Sequence, residues 1–252
     1  MKRSLLAFGP PLILVILALT VWEGAKRLGG LPVFIPGPAQ IWAELAGSPS
    51  LFFGNLWPTV TTAATGYGVA AVITVIGAAI SAMLPPLRTP IYGLSITINA
   101  VPIIAKAPLL ALWLGTGPSM HVIIVALTCQ FPLLVGTLQG LGAADPRQRE
   151  MLHSLSASPW QLLWHLRLPA SLPYLFAGFR IAAPLAVLGA VTAEWAGANS
   201  GLGAMMLYAL FSYDIAKVWL SVLACCLLSA LAYGLWAVVE RRIVTWDDGL
   251  DR

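Results

Sequence analysis

The sequence predicts an all-α integral membrane protein with six transmembrane helices, and three observations predict it. Of 252 residues, 59% are hydrophobic and 10% charged, with a mean hydropathy of +0.85, where a soluble domain carries about 25% charged residues. Six stretches are long and apolar enough to cross ~30 Å of hydrocarbon as helices: residues 5–22, 57–84, 91–114, 120–141, 172–195 and 215–238. Between the fourth and fifth lies a polar, basic, helix-forming island, residues 147–173 (RQREMLHSLSASPWQLLWHLRLPASLP), where a membrane hairpin needs only a turn.

The first stretch opens with Lys2 and Arg3, as a signal peptide does. Its apolar run is too long for that, and no small-x-small site precedes Glu23, so it reads as an uncleaved span. Pro10, Pro11, Pro102, Pro108, Pro132 and Pro184 fall inside apolar stretches and predict kinks, which membrane helices tolerate when neighbours re-satisfy the backbone. Residues 23–56 form an outer loop with Pro32, Pro36 and Pro38, followed by a short amphipathic run at 39–45. Residues 196–213, with the SGLG start at Ser200, are too apolar for open water and too short to span, which predicts a re-entrant or interfacial segment.

Orientation follows from the basic residues. With the N-terminus inside, the cytoplasmic ends hold Lys2, Arg3, Arg88, Arg147, Arg149, Arg167, Arg241, Arg242 and Arg252, against Lys26, Arg27 and Lys217 outside. Both termini are then cytoplasmic, and Trp22, Trp57, Trp113 and Trp195 mark the outer interface. One multi-pass domain fills residues 1–252, with no internal repeat and no soluble domain.

Several functions are excluded or unsupported. There is no dense Lys/Arg stripe for nucleic acid, and no Gly-x-x-x-x-Gly-Lys-Ser/Thr to cradle nucleotide phosphates. Cys129, Cys225 and Cys226 lie in apolar runs and read as packing residues. His121, at the outer start of the fourth span, reads as an interface residue, and no histidines have metal-ligand spacing. No Ser/His/Asp set converges at one depth, so catalysis and a bound metal or cofactor are not expected.

Within the island, Ser156-Ala157-Ser158-Pro159 breaks two short helices. Ser158 is placed to cap the second, with Pro159 at its first position. Trp160, Leu163 and Trp164 recur at helical spacing as one apolar face, as do Leu152 and Leu155 on the first helix. Periodicity alone leaves two readings open: a surface docked into a soluble partner, or an amphipathic helix lying on the bilayer.

These residues resemble the EAA loop of binding-protein-dependent ABC transporter permeases. Glu150 takes the acidic position, Ser156 the glycine position, and Leu166-Arg167-Leu168-Pro169 the ending; Met151 and Leu152 stand where the pattern has alanines. Residues 177–206 (AGFRIAAPLAVLGAVTAEWAGANSGLGAMM), 107–118 (APLLALWLGTGP) and 240–246 (ERRIVTW) are similar, in order, to the nitrate/sulfonate/taurine-type permeases. The resemblance implies a type I ABC importer permease-like fold with a cytoplasmic coupling loop at 146–171. It implies Glu150, Leu152, Ser156, Ala157, Pro159, Trp160, Leu163, Leu168 and Pro169 as the ATPase-coupling set. It further implies a homodimer, cytoplasmic ATPase subunits that hydrolyse ATP, an extracytoplasmic substrate-binding protein, and an inner-membrane location among lipid.

Lys106, Pro108 and Glu194 are the pathway candidates. A lysine at a helix centre costs ~2.5–3.5 kcal/mol, so Lys106 either lines a pathway for an anion, snorkels, or forms an internal salt bridge. Glu194 either gates the outer mouth or caps and pairs with nearby backbone. Arg180 reads as a structural residue reaching the interface. The expected substrate is a small anion such as a sulfonate, taurine or nitrate. The alternative is a thiamine-precursor pyrimidine or other heterocycle, which the aromatic outer residues Trp195, Tyr208, Phe211 and Tyr213 would suit. A polytopic scaffold or enzyme, or an ion-coupled carrier, would need clustered intramembrane acids or inverted repeats that the sequence does not contain.

Overall fold

Hydrocarbon offers no partner to backbone N–H and C=O groups, so a helix, which satisfies its own, is what such stretches form. Every regular element of the computed structural model is a helix or helical turn among the described residues, 2–246, with side chains from residue 13 onward. Arg252 and the side chains of Lys2, Arg3, Pro10 and Pro11 lie outside the described part. Helix α1 is Lys2–Arg27, α2 Pro38–Gly47 and α3 Pro49–Met83. A 3₁₀ turn, Pro85–Leu87, leads to α4 (Arg88–Ala100) and α5 (Ile103–Leu114), followed by α6 (Pro118–Gly142). The island holds α7 (Pro146–Ser154) and α8 (Pro159–Leu162), and a π-helical turn, Leu163–Arg167, joins α8 to α9 (Leu168–Trp195). Then come α10 (Leu202–Phe211) and α11 (Ile215–Ile243).

Among the described residues, four helices are long and apolar enough to cross a membrane: α3, α6, the continuous run Pro159–Trp195, and α11. A fifth follows if α4 and α5 are one bent span, because they meet at 97°. The third expected span is thus broken rather than merely kinked. Pro102 has no N–H to continue α4 and drives Val101 to φ −71°, ψ 124°, outside the helical region. Pro108, Pro132 and Pro184 sit inside continuous helices. Helix α3 starts at Pro49 instead of Trp57, which shortens the outer loop, and α2 covers the amphipathic run at 39–45.

The core is α6 held between α3 and α9. Its pairing with α9 is close because small residues face each other: a Cβ at Gly136 would stand 2.7 Å from Tyr174 O, and one at Gly178 2.9 Å from Pro132 O. Small-to-small contact of this kind lets two backbones touch in a membrane. Cys129 is buried in the same seam with Leu133, Ala182 and Ala186, as a packing residue. His121 is buried in the first turn of α6. Arg180 is also turned inward, where its Nη1 meets Glu240 Oε2 at 3.1 Å, with Glu240 buried.

Candidate functional site

The island's two limbs are each fixed by local chemistry. Asp145 caps α7 by accepting the Arg147 N–H at 2.8 Å, with Pro146 following as first helical residue. The limb ends in a Schellman closure: Ala157 N–H reaches Leu152 O and Ser156 N–H reaches His153 O, both at 3.0 Å. That closure puts Ser156 at φ 57°, in the left-handed region. The second limb begins with a capping box, in which Ser158 Oγ accepts the Gln161 N–H at 3.3 Å and Gln161 Oε1 accepts the Ser158 N–H at 2.8 Å.

The second limb does not end at Leu168-Pro169, as two separate short helices would require. Pro169 has no N–H, and just before it the helix widens, with Leu168 N–H reaching back to Leu163 O. The result is one 37-residue helix, Pro159–Trp195, about 55 Å long at 1.5 Å per residue.

Glu150, Ser156, Pro159 and Trp160 are exposed, and Leu152, Ala157, Leu168 and Pro169 half-buried. Trp160 and Trp164 lie edge to face, 5.5 Å between centroids, and remain about half exposed. Leu163 departs from the expected face. It is 7% exposed and packs inward with Leu134, Leu138 and Leu141, because the π turn rotates it out of register with the two tryptophans. Met151 and Leu155 are exposed instead. Arg167 donates through Nη1 to Ala82 O at 3.0 Å, tying the island to the end of α3.

At the other end of the same helix, Glu194 is 2% exposed. Its Oε1 accepts the Thr59 hydroxyl at 2.7 Å, and its Oε2 accepts the Gly203 N–H at 2.7 Å. Thr59 Oγ1 in turn accepts the Leu202 N–H at 2.8 Å, and Asn55 Oδ1 the Gly201 N–H at 3.0 Å. The first free N–H groups of α10 are therefore capped by side chains of α3 and α9. Gly201, at φ 124°, faces the carboxyl with no room for a Cβ.

Lys106 is 7% exposed in the first turn of α5, with no carboxylate within ion-pair distance among the described residues. Pro108 is exposed on the same helix, and no hydrogen bond or ion pair joins Lys106 to Glu194 among the described residues. Between α4, α6 and α9 runs a groove of about 410 Å³ lined by Asn99, Thr128, Phe131, Gln139 and Tyr174. Sequence reasoning passed over these residues because it searched for charge; the available signal was uncharged hydrogen-bonding groups inside apolar stretches.

Residues 72–245 match the family described as binding-protein-dependent transport system inner membrane component. The formylaminopyrimidine transport permease protein ThiX of Halalkalibacterium halodurans is 31% identical, over 98% of each chain. The riboflavin transport system permease protein RibX of Chloroflexus aurantiacus is 31% identical over 96% of this chain and 91% of its own. The taurine transport system permease protein TauC of Escherichia coli is 29% identical over 90% and 86%. In fold, the chain is similar to a crystal structure of an amino acid ABC transporter with histidines, with a TM-score of 0.65 over 79% of this chain and 97% of that one, at 16% identity.

Proposed function

Because the chain belongs to the family of binding-protein-dependent transport system inner membrane components, it is an ABC transporter permease subunit, and we propose that it imports a small polar heterocycle along the α4–α6–α9 face. It is a multi-pass inner-membrane transport component and not an enzyme; in this family a partner ATPase hydrolyses ATP and a substrate-binding protein delivers the solute. The observation that carries the substrate reading is the groove's lining. Asn99, Thr128 and Gln139 offer neutral donors and acceptors, and Phe131 and Tyr174 offer ring faces, which suits a planar amide-like solute better than a bare anion. Two relatives aligned over more than nine-tenths of both chains are named for formylaminopyrimidine and riboflavin.

A second reading, a sulfonate-class anion, is favoured by one observation: Lys106 is buried without a carboxylate among the described residues. Uptake by cells expressing the complete transporter separates the two. Labelled aminopyrimidine uptake falling roughly tenfold in Asn99→Ala and Gln139→Ala, with Lys106→Met near wild type, supports the heterocycle. Taurine uptake abolished by Lys106→Met, with the groove variants unaffected, establishes the anion instead.

The mechanism rests on the helix Pro159–Trp195. Glu150, Leu152, Ser156, Ala157, Pro159 and Trp160 present the island to the ATPase, with Leu168 and Pro169 at the root of the lever. The same helix ends at Glu194, which holds α10. Displacement of the island by ATPase closure therefore moves the outer cap without an intervening hinge. The assembly is a homodimer of six-span subunits in lipid, with α1 and the α4–α5 pair completing the span count, both termini cytoplasmic, and residues 196–213 re-entrant at the outer face.

A further inference from the structure

We propose that Arg88, Arg149 and Arg167 form a binding site for a phosphate group at the island's root. These three side chains come from α4, α7 and the π turn, and they converge on a cavity of about 150 Å³ whose other walls include Ser81, Gly142 and Leu138. At ~30 Å³ per water, that is room for on the order of five waters, enough for a tetrahedral oxyanion. The Arg88 Nη2 lies over Gly142, 3.7 Å from where a Cβ would stand. Among the described residues, Arg167 makes one side-chain hydrogen bond, to Ala82 O.

Among the described residues, no carboxylate lines this cavity. Among the described residues, none of the ion pairs involves these arginines. The acids nearest in sequence are committed or turned away: Asp145 caps Arg147 N–H, and Glu150 is exposed. Three guanidiniums gathered in a half-enclosed space repel one another unless an anion joins them, and their forked N–H donors match phosphate oxygens bidentately.

A second cavity of about 310 Å³ shares Arg88 and Leu138 with the first and continues past Thr89, Tyr92, Val135 and Gln139. A charged cavity at the ends of α3 and α6, opening into a mainly apolar groove, has the polarity profile of an anionic phospholipid. A free phosphate ester supplies the same group from solution. The inference rests on the proposed topology only for which leaflet supplies the lipid, so a failure of that topology leaves the binding result intact.

The test is native mass spectrometry of the full chain in delipidated detergent, titrated with phosphatidylglycerol, phosphatidylcholine and inorganic pyrophosphate. The expected result is binding of the anionic lipid roughly tenfold tighter than phosphatidylcholine, reduced about tenfold by Arg149→Gln and further by adding Arg88→Gln. Arg149 is exposed on α7, so its substitution leaves the bundle folded, and Arg88→Lys, which keeps charge but loses the fork, falls between. Pyrophosphate that binds and displaces the lipid identifies a soluble ligand; pyrophosphate that does neither identifies the headgroup. Equal binding of the two lipids with no pyrophosphate binding, or unchanged binding in the double variant, overturns the site.

Discussion

Glu194 accepts the Gly203 N–H at 2.7 Å from within the protein interior, so the last turn of α9 carries the first turn of α10. Removing the carboxylate leaves that N–H and the Thr59 hydroxyl without their acceptor in a buried place. Glu194→Ala should therefore cost about 1–3 kcal/mol of stability, read as a lowered thermal midpoint in detergent. Glu194→Gln should recover most of it. Its amide oxygen still accepts from Gly203, and the Thr59 hydroxyl can turn to Asn55 O, 3.4 Å away.

Ser156 stands where the left-handed conformation is required, φ 57°. A non-glycine residue there costs roughly 1–2 kcal/mol, part of which serine's small side chain recovers. Ser156→Gly should raise the thermal midpoint, and Ser156→Val should lower it while leaving the Ser158 capping box intact. If both variants melt like wild type, the turn does not constrain the island.

How much of this was legible in the sequence differs by residue. The island's break was readable because Ser158, Pro159 and the helical spacing around them are local signals, and they cap the second limb as expected. The continuity of that limb with α9 was not readable. Leu168-Pro169 looks like a terminator, and only the widened turn, which depends on Leu163 and Leu166 packing into the bundle, carries the helix through. Glu194 announced itself as an acid beside apolar residues, but its partner Thr59 lies far away in sequence. The Val101-Pro102 bend was visible as a proline and invisible as an angle, since neighbouring helices set the direction a broken helix takes.

The α6–α9 seam allows little change. A side chain at Gly136 would meet Tyr174 O and the Gly178 backbone, neither of which can swing aside. Gly136→Val and Gly178→Val should each cost about 1–3 kcal/mol by overpacking, and the pair should cost less than the sum, because one separation of the helices relieves both. Unfolding midpoints of the two single variants and the double variant give the answer; strict additivity contradicts the shared contact.

The outer loop has a pH-sensitive tie. The Ala39 N–H, and after it the Arg27 side chain, hold the Glu23 carboxylate below its ordinary value of 4.5. A lowered carboxylate contributes stability fully present above its unfolded value and lost as pH falls through the folded one. Hydrogen exchange at the Ala39 amide should therefore be slow at neutral pH relative to its intrinsic rate, and protection should fall only below pH 4.5. Glu23→Gln should weaken the protection and abolish its pH dependence. Glu23 ties only the end of α1 to the start of α2, so the global midpoint should barely move.

The lever itself separates grip from transmission. Glu150→Arg and Trp160→Ala change exposed residues at the tip, so they should reduce capture of the partner ATPase while the permease folds normally. His165→Gly with Ala170→Gly leaves the tip untouched and softens the helix between tip and span, by about 1 kcal/mol at Ala170 and roughly a few tenths of that at His165. If the continuous helix Pro159–Trp195 transmits the motion, this variant should capture the ATPase as wild type does and still permit ATP hydrolysis, while solute uptake per ATP drops several-fold. Uptake that survives the two glycines at wild-type efficiency places transmission in the packing of Leu163 against α6, and Leu163→Ala then becomes the variant that uncouples.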